Sequence, residues 1–144
     1  MEFVSQFLEK KGHDVWWVAP ETTVFDALQL MANKKVGALL VLEEDSLVGV
    51  FSERDYARKV ILKGKSSKDT PVRDIMSTKI VCVAPNQSTE ECMSLMTEKR
   101  VRHLPVMDGE KLIGIISIGD VVKAVIADRE DVIEQLEHYI TGTF

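Results

Sequence analysis

The sequence predicts an α/β (α+β) protein of two tandem β-α-β-β-α units with additional terminal helices, and three observations carry the prediction. First, Gly49-Val50-Phe51-Ser52-Glu53-Arg54-Asp55 returns as Gly114-Ile115-Ile116-Ser117-Ile118-Gly119-Asp120, 65 positions on. Second, the same offset carries Val18-Ala19-Pro20 onto Val83-Ala84-Pro85, and Met31, Val36, Leu39, Val41 and Leu47 onto Met96, Val101, Leu104, Val106 and Leu112. Third, strand-length apolar runs alternate in each copy with apolar residues at three- and four-residue steps.

Phe3, Val4, Phe7 and Leu8 recur at helical spacing before Lys10-Lys11-Gly12, which reads as a short docking helix and its stop. Val15–Val18 has strand character and ends at Pro20. Thr22 or Thr23 caps a helix with Val24, Ala27, Leu28 and Met31 on one face. Val36–Leu42 and Leu47–Phe51, joined by Glu43-Glu44-Asp45-Ser46, read as a hairpin, and Ser52–Leu62 returns to a helical pattern. The first unit is thus residues 4–62 with its leading helix, and 63–71 is a polar linker ending in Pro71.

The second unit, 72–127, opens with the helically spaced Val72-Arg73-Asp74-Ile75-Met76. It continues with a strand at Ile80–Val83, a helix at Thr89–Met96, a hairpin of Val101–Met107 and Leu112–Ser117 turning at Asp108-Gly109, and a helix from Asp120. Residues 128–144 form a separate C-terminal helix with a stripe of Val132, Ile133, Leu136 and Ile140, ended by Gly142 and suited to cover core or meet another subunit.

At 144 residues the chain is one compact domain or two small lobes, burying roughly 68–70% of its surface on folding. A net charge of −5 argues against broad nucleic-acid binding, which draws on an excess of Lys and Arg. Cys82 and Cys92 stand without a CxxC or histidines at metal-ligand spacing, so no disulfide scaffold or metal site is expected. The lack of a leader pattern or an apolar run near ~18 residues points to a soluble, cytoplasmic protein.

The duplicated glycine-apolar-apolar-Ser-x-x-Asp motif, the Val-x-Pro strand ends and Val72-Arg73-Asp74-Ile75-Met76 resemble the cystathionine β-synthase (CBS) domain, which occurs in tandem pairs. The resemblance covers about Val4 to Ile126. It implies two units packed about a pseudo-two-fold axis, with clefts that take adenosine-containing ligands such as AMP, ADP, ATP, S-adenosylmethionine or NAD(H), and modules that pair as homodimers. It also implies that the motif aspartate holds ribose hydroxyls with the serine nearby, which maps onto Ser52 with Asp55 and Ser117 with Asp120.

An ionised aspartate only accepts hydrogen bonds, so it suits the two hydroxyls of a ribose. The competing reading is a capping box, in which the serine caps the following helix, and the two readings can coexist. Arg54 and Arg58 near the first motif, and Arg100, Arg102 and His103 near the second, are phosphate candidates because a guanidinium donates two parallel bonds. Each is equally at home as a solvated charge. Gly37-Ala38 stands where the second copy has Arg102-His103, so the two clefts should differ in preference, with the second as the better site. There Lys79-Ile80 would offer backbone contacts to the base. Trp16-Trp17 can stack on a base or, more simply, pack in the core or against a subunit. His13 and His138 read as surface residues, Met31, Met93 and Met96 as core filling, and Cys82 and Cys92 as buried small apolar groups.

No HExxH, Walker loop or G-x-S-x-G elbow is present and neither motif serine has an evident base, so an enzyme is the least favoured class. The expected function is a regulatory module that binds an adenine nucleotide and signals its occupancy to a partner protein. The alternative is a nucleotide-independent interaction or oligomerisation module.

Overall fold

A computed structural model describes residues 2–141, leaving aside the side chains of Asp131, Val132, Tyr139 and Thr141. The chain divides into two compact units, one of Asp14–Ile80 and the other of the stretch up to His13 together with Val81 onward. This division differs from the expected segments. The helix of residues 4–11 packs with the second repeat rather than the first, and residues 72–80 pack with the first.

In the unit Asp14–Ile80, strand β1 (Trp17–Val18) runs parallel to β2 (Ala38–Glu43), which pairs antiparallel with β3 (Ser46–Ser52). Helix α2 (Val24–Lys34) starts at Thr23, whose hydroxyl accepts the Asp26 N–H, and stops at Lys35 in the left-handed region (φ 57°). It lays Val24, Ala27 and Met31 onto Leu39, Val41 and Phe51, and Val72 and Ile75 close the same core. After Ser52 come a single helical turn, α3 (Glu53–Tyr56), and a π-helical segment, Ala57–Ile61, rather than one uniform helix. Val72–Asp74 is a 3₁₀ turn.

The other unit reproduces these details 65 residues on. Ser88 caps α4 (Thr89–Lys99), and Arg100 ends it at φ 55°. In the β4 (His103–Asp108) and β5 (Lys111–Ser117) hairpin, Leu104 faces Ile116 as Leu39 faces Phe51, and the register slips after Val106 as it does after Val41. The two hairpin turns are Glu44-Asp45, both at positive φ, and Gly109-Glu110. Val4 and Leu8 of α1 (Val4–Lys11) enter a core with Cys92, Met96, Leu104, Val106 and Ile116.

The expected strand at Ile80–Val83 is reduced to one bridge between Val83 and Val106. The cause is Pro105. Its counterpart Leu40 donates its N–H to the Trp16 carbonyl at 3.1 Å and so extends β1, whereas proline has no N–H to give. Cys82 is exposed, against expectation, as is its counterpart Trp17 in the intact β1, so this position faces outward in both units; Cys92 is buried as expected. Trp16 and Trp17 are 37% and 53% exposed and do not fill the core of the chain; Val18 does, and the Lys34 ammonium lies 4.3 Å from the Trp16 ring centre.

The helix expected from Asp120 and the separate C-terminal helix are one continuous helix, α5 (Ile118–Thr141), since nothing around Asp128-Arg129-Glu130 breaks the pattern. Gly142, expected to end it, and the side chain of Val132 lie outside the described residues. Among the described residues no helix is long and apolar enough to cross a membrane.

Candidate functional site

Each motif forms a corner where a strand ends and a helix begins. At the first, the Ser52 hydroxyl accepts the Asp55 N–H at 3.2 Å, and Asp55 Oδ2 accepts the Ser52 N–H at 3.0 Å and its hydroxyl at 3.1 Å. The second repeats this with the Asp120 N–H on Ser117 Oγ at 3.2 Å and the Ser117 N–H on Asp120 Oδ2 at 2.9 Å. The capping box is therefore realised in both copies, and it fixes each carboxylate through one oxygen.

The residues around the corners also correspond. Ala38 pairs with Ser52 across β2 and β3, and His103 pairs with Ser117 across β4 and β5. The Gly37 carbonyl accepts the Glu53 N–H at 3.1 Å, and the Arg102 carbonyl accepts the Ile118 N–H at 2.9 Å. The structure thus brings Gly37, Ala38, Ser52 and Asp55 together in one unit, and Arg102, His103, Ser117 and Asp120 in the other. Arg54, Arg58 and Arg102 are exposed cations beside their corners. Lys79 and Ile80, expected to serve Ser117 and Asp120, belong to the unit that carries Ser52 and Asp55.

The glycine of each motif lets another segment press against the strand. A Cβ on Gly49 would meet Met76 Sδ at 2.5 Å, and one on Gly114 would meet Leu8 Cδ2 at 2.9 Å. The two segments are equivalent, since Thr23 bridges Pro71 as Ser88 bridges Phe3.

Sequence reasoning missed Lys11. Its ammonium lies 2.7 Å from Asp120 Oδ2 and 2.7 Å from the Ile115 carbonyl. The first corner has a weaker version, with Lys59 Nζ 3.4 Å from Asp55 Oδ1. A signal for Lys11 does exist in the chain: Val4-x-x-Phe7-Leu8-x-x-Lys11 recurs as Val72-x-x-Ile75-Met76-x-x-Lys79. Its offset is 68 rather than 65, so a search at the motif's own spacing passes over it.

Burial raises the Asp120 carboxyl, but the Lys11 ammonium and the bonds from Ser117 outweigh it and hold the group below its ordinary value. His103 is held below its ordinary value by burial first and by Lys11 and Arg102 next, against an opposing pull from Asp120. Around the carboxylate of Asp120 the second corner thus gathers the cations Lys11 and Arg102 and an imidazole that stays neutral more readily than a free one. None of these residues lines the 420 Å³ groove on α4, where Glu90, Glu91 and Glu98 surround Leu95 and would repel an anion. Among the described residues no group of three or more His, Cys, Asp or Glu is arranged to hold a metal ion.

The CBS domain family matches twice, at residues 8–62 and 72–127. The chain belongs to the CBS-domain family. The mitochondrial CBS domain-containing protein CBSX3 of Arabidopsis thaliana is 40% identical over 150 residues, which span 98% of this chain and 73% of that protein. A solved structure described as a signal-transduction protein with CBS domains, from Burkholderia ambifaria, is 55% identical with a TM-score of 0.84, covering 88% of this chain and 95% of that one. At 15% identity a CBS domain pair solved in complex with 5′-methylthioadenosine and S-adenosyl-L-methionine shares the fold, with a TM-score of 0.77 over 89% of this chain and 98% of that one. The two CBS repeats match the two motif copies in sequence, while each leading segment packs on the repeat that it does not precede.

Proposed function

We propose that this CBS pair is a non-catalytic regulatory module that binds an adenosine-containing ligand and signals its occupancy to a partner protein, as a homodimer in the cytoplasm. The observation that carries the reading is the carboxylate at the second corner. Asp120 Oδ2 is anchored by the Ser117 N–H and Lys11, while among the described residues Oδ1 takes no hydrogen bond from the chain. An anchored, ionised carboxylate with a spare oxygen suits ribose hydroxyls, and Lys11 with Arg102 suits a phosphate. The adenosine ligands of the fold neighbour point the same way. Two free cysteines, one of them exposed, accord with a reducing compartment. In this reading Asp55, with Ser52, Arg54 and Arg58, offers a second, weaker site, and Lys79 and Ile80 stand by as backbone and cationic contacts.

A thermal-shift panel of AMP, ADP, ATP, NAD, NADH and S-adenosylmethionine tests the reading, since a ligand at 100 times its Kd adds about 2.7 kcal/mol to the folded state. The expected result is a clear rise with at least one nucleotide that Asp120→Asn abolishes and Asp55→Asn reduces less. Asparagine is the informative replacement because it keeps an oxygen for the Ser117 N–H, whereas Asp120→Ala also removes part of the helix cap. No shift with any ligand, from protein shown to be free of bound nucleotide, would replace the reading with a nucleotide-independent interaction module.

A further inference from the structure

Helix α5 extends well beyond the second repeat and has no counterpart after the first. Beyond Ile118 in its first turn, its exposed large apolar residues fall on one narrow face: Val122, Ile126, Ile133, Leu136 and Ile140 are 41–80% exposed, at steps of four, seven, three and four. These steps keep one side of a helix, and they sort into two interleaved sets with a seven-residue period, Val122-Arg129-Leu136 and Ile126-Ile133-Ile140. Five of six seam positions are apolar, a pattern that fits a second helix rather than solvent. A net charge of −5 on the chain leaves such a face poorly suited to an acidic lipid surface.

The charges select the partner and its direction. In a parallel pair Arg129, the one charged residue of the seam, would lie against its own copy. In an antiparallel pair Ile126 meets Leu136, Val122 meets Ile140 and Arg129 lies beside Ile133, next to Glu130 of the other helix. The row bordering the seam is Lys123, Glu130 and Glu137, and only the antiparallel arrangement brings Lys123 of each helix towards Glu137 of the other.

We propose that α5 is a self-association helix whose Val122–Ile140 face pairs antiparallel with the same face of a second copy. This specifies the homodimer of the proposed function and does not depend on nucleotide binding.

Light scattering on the full chain and disulfide trapping in a Cys82→Ser background test it. Wild type is expected to be dimeric, and Ile133→Asp, at an exposed position that leaves the fold intact by circular dichroism, should raise the dimer Kd by about tenfold or more. A mixture of Ile126→Cys and Leu136→Cys copies should yield a cross-linked dimer on mild oxidation, with little from either alone. A monomeric wild type, a dimer untouched by Ile133→Asp, or self-linking of Ile126→Cys alone would each overturn the proposal. A dimer formed elsewhere would leave the nucleotide-dependent shifts in place, so the two readings fail separately.

Discussion

The two motif corners have the same backbone and different tertiary partners. At the first, Val50 exchanges both backbone hydrogen bonds with Ser77, each at 2.9 Å, so the neighbouring segment behaves as a piece of strand. At the second, the equivalent segment lies within helix α1, and the Ile115 carbonyl is met by the Lys11 ammonium instead. The Lys11 side chain therefore replaces a backbone amide and brings a full positive charge to Asp120. A duplicated motif can keep its local geometry while the segment docked on it decides its electrostatics.

The two corners differ most in the segments docked on them. Leu8 is fully buried and lies against Gly114, although in sequence it precedes the other repeat. Leu8→Ala should destabilise the protein by about 2–5 kcal/mol in urea unfolding, as for other buried leucines. Met76→Ala, at the partly exposed equivalent position, should cost less. A loss under about 1 kcal/mol for Leu8→Ala would mean that α1 is an accessory and not part of this core.

What the sequence made legible follows the same division. The helices at 24–34 and 89–99, the hairpins, and the placement of Ser52, Asp55, Ser117 and Asp120 at strand–helix corners were readable because local periodicity and short turns determine them. The exchange of leading segments was not, since a repeat offset registers similarity and carries no information about which copy a segment packs on. Lys11 was hidden for that reason. The shortened strand near Val83 needed a different clue: Pro105 weakens a neighbour 22 residues away rather than its own strand. For Trp16 and Trp17 the choice between core and subunit packing was not readable, because bulk and β-propensity say nothing about which face of a two-residue strand is covered.

The ion pairs at the two corners differ on a smaller scale. Lys11 and Asp120 are 31% and 21% exposed and in direct contact, so Lys11→Met should cost about 1–2 kcal/mol and return the Asp120 carboxyl towards its ordinary range. Lys59→Met breaks a longer, more exposed i,i+4 contact and should cost about 0.3–0.5 kcal/mol. Carboxyl titration by NMR separates the two: an Asp120 titration unmoved by Lys11→Met would show that the Ser117 bonds alone hold it down.

The smallest effect concerns His103, whose counterpart Ala38 cannot titrate. Its folded-state value lies below the unfolded value of about 6.5, so the unfolded chain takes up the proton first as pH falls. The stability that neutral His103 confers is complete above about pH 6.5 and is lost on descending through the folded-state value. Asp120 acts lower, below about pH 3.9, and in the same sense, since its carboxylate is stabilised by folding. His103→Ala should therefore flatten the pH dependence of unfolding just below pH 6.5 while leaving the acid limb intact. An unchanged slope in that window would mean that the imidazole is as well solvated in the folded chain as in the unfolded one, and that Lys11 and Arg102 do not act on it.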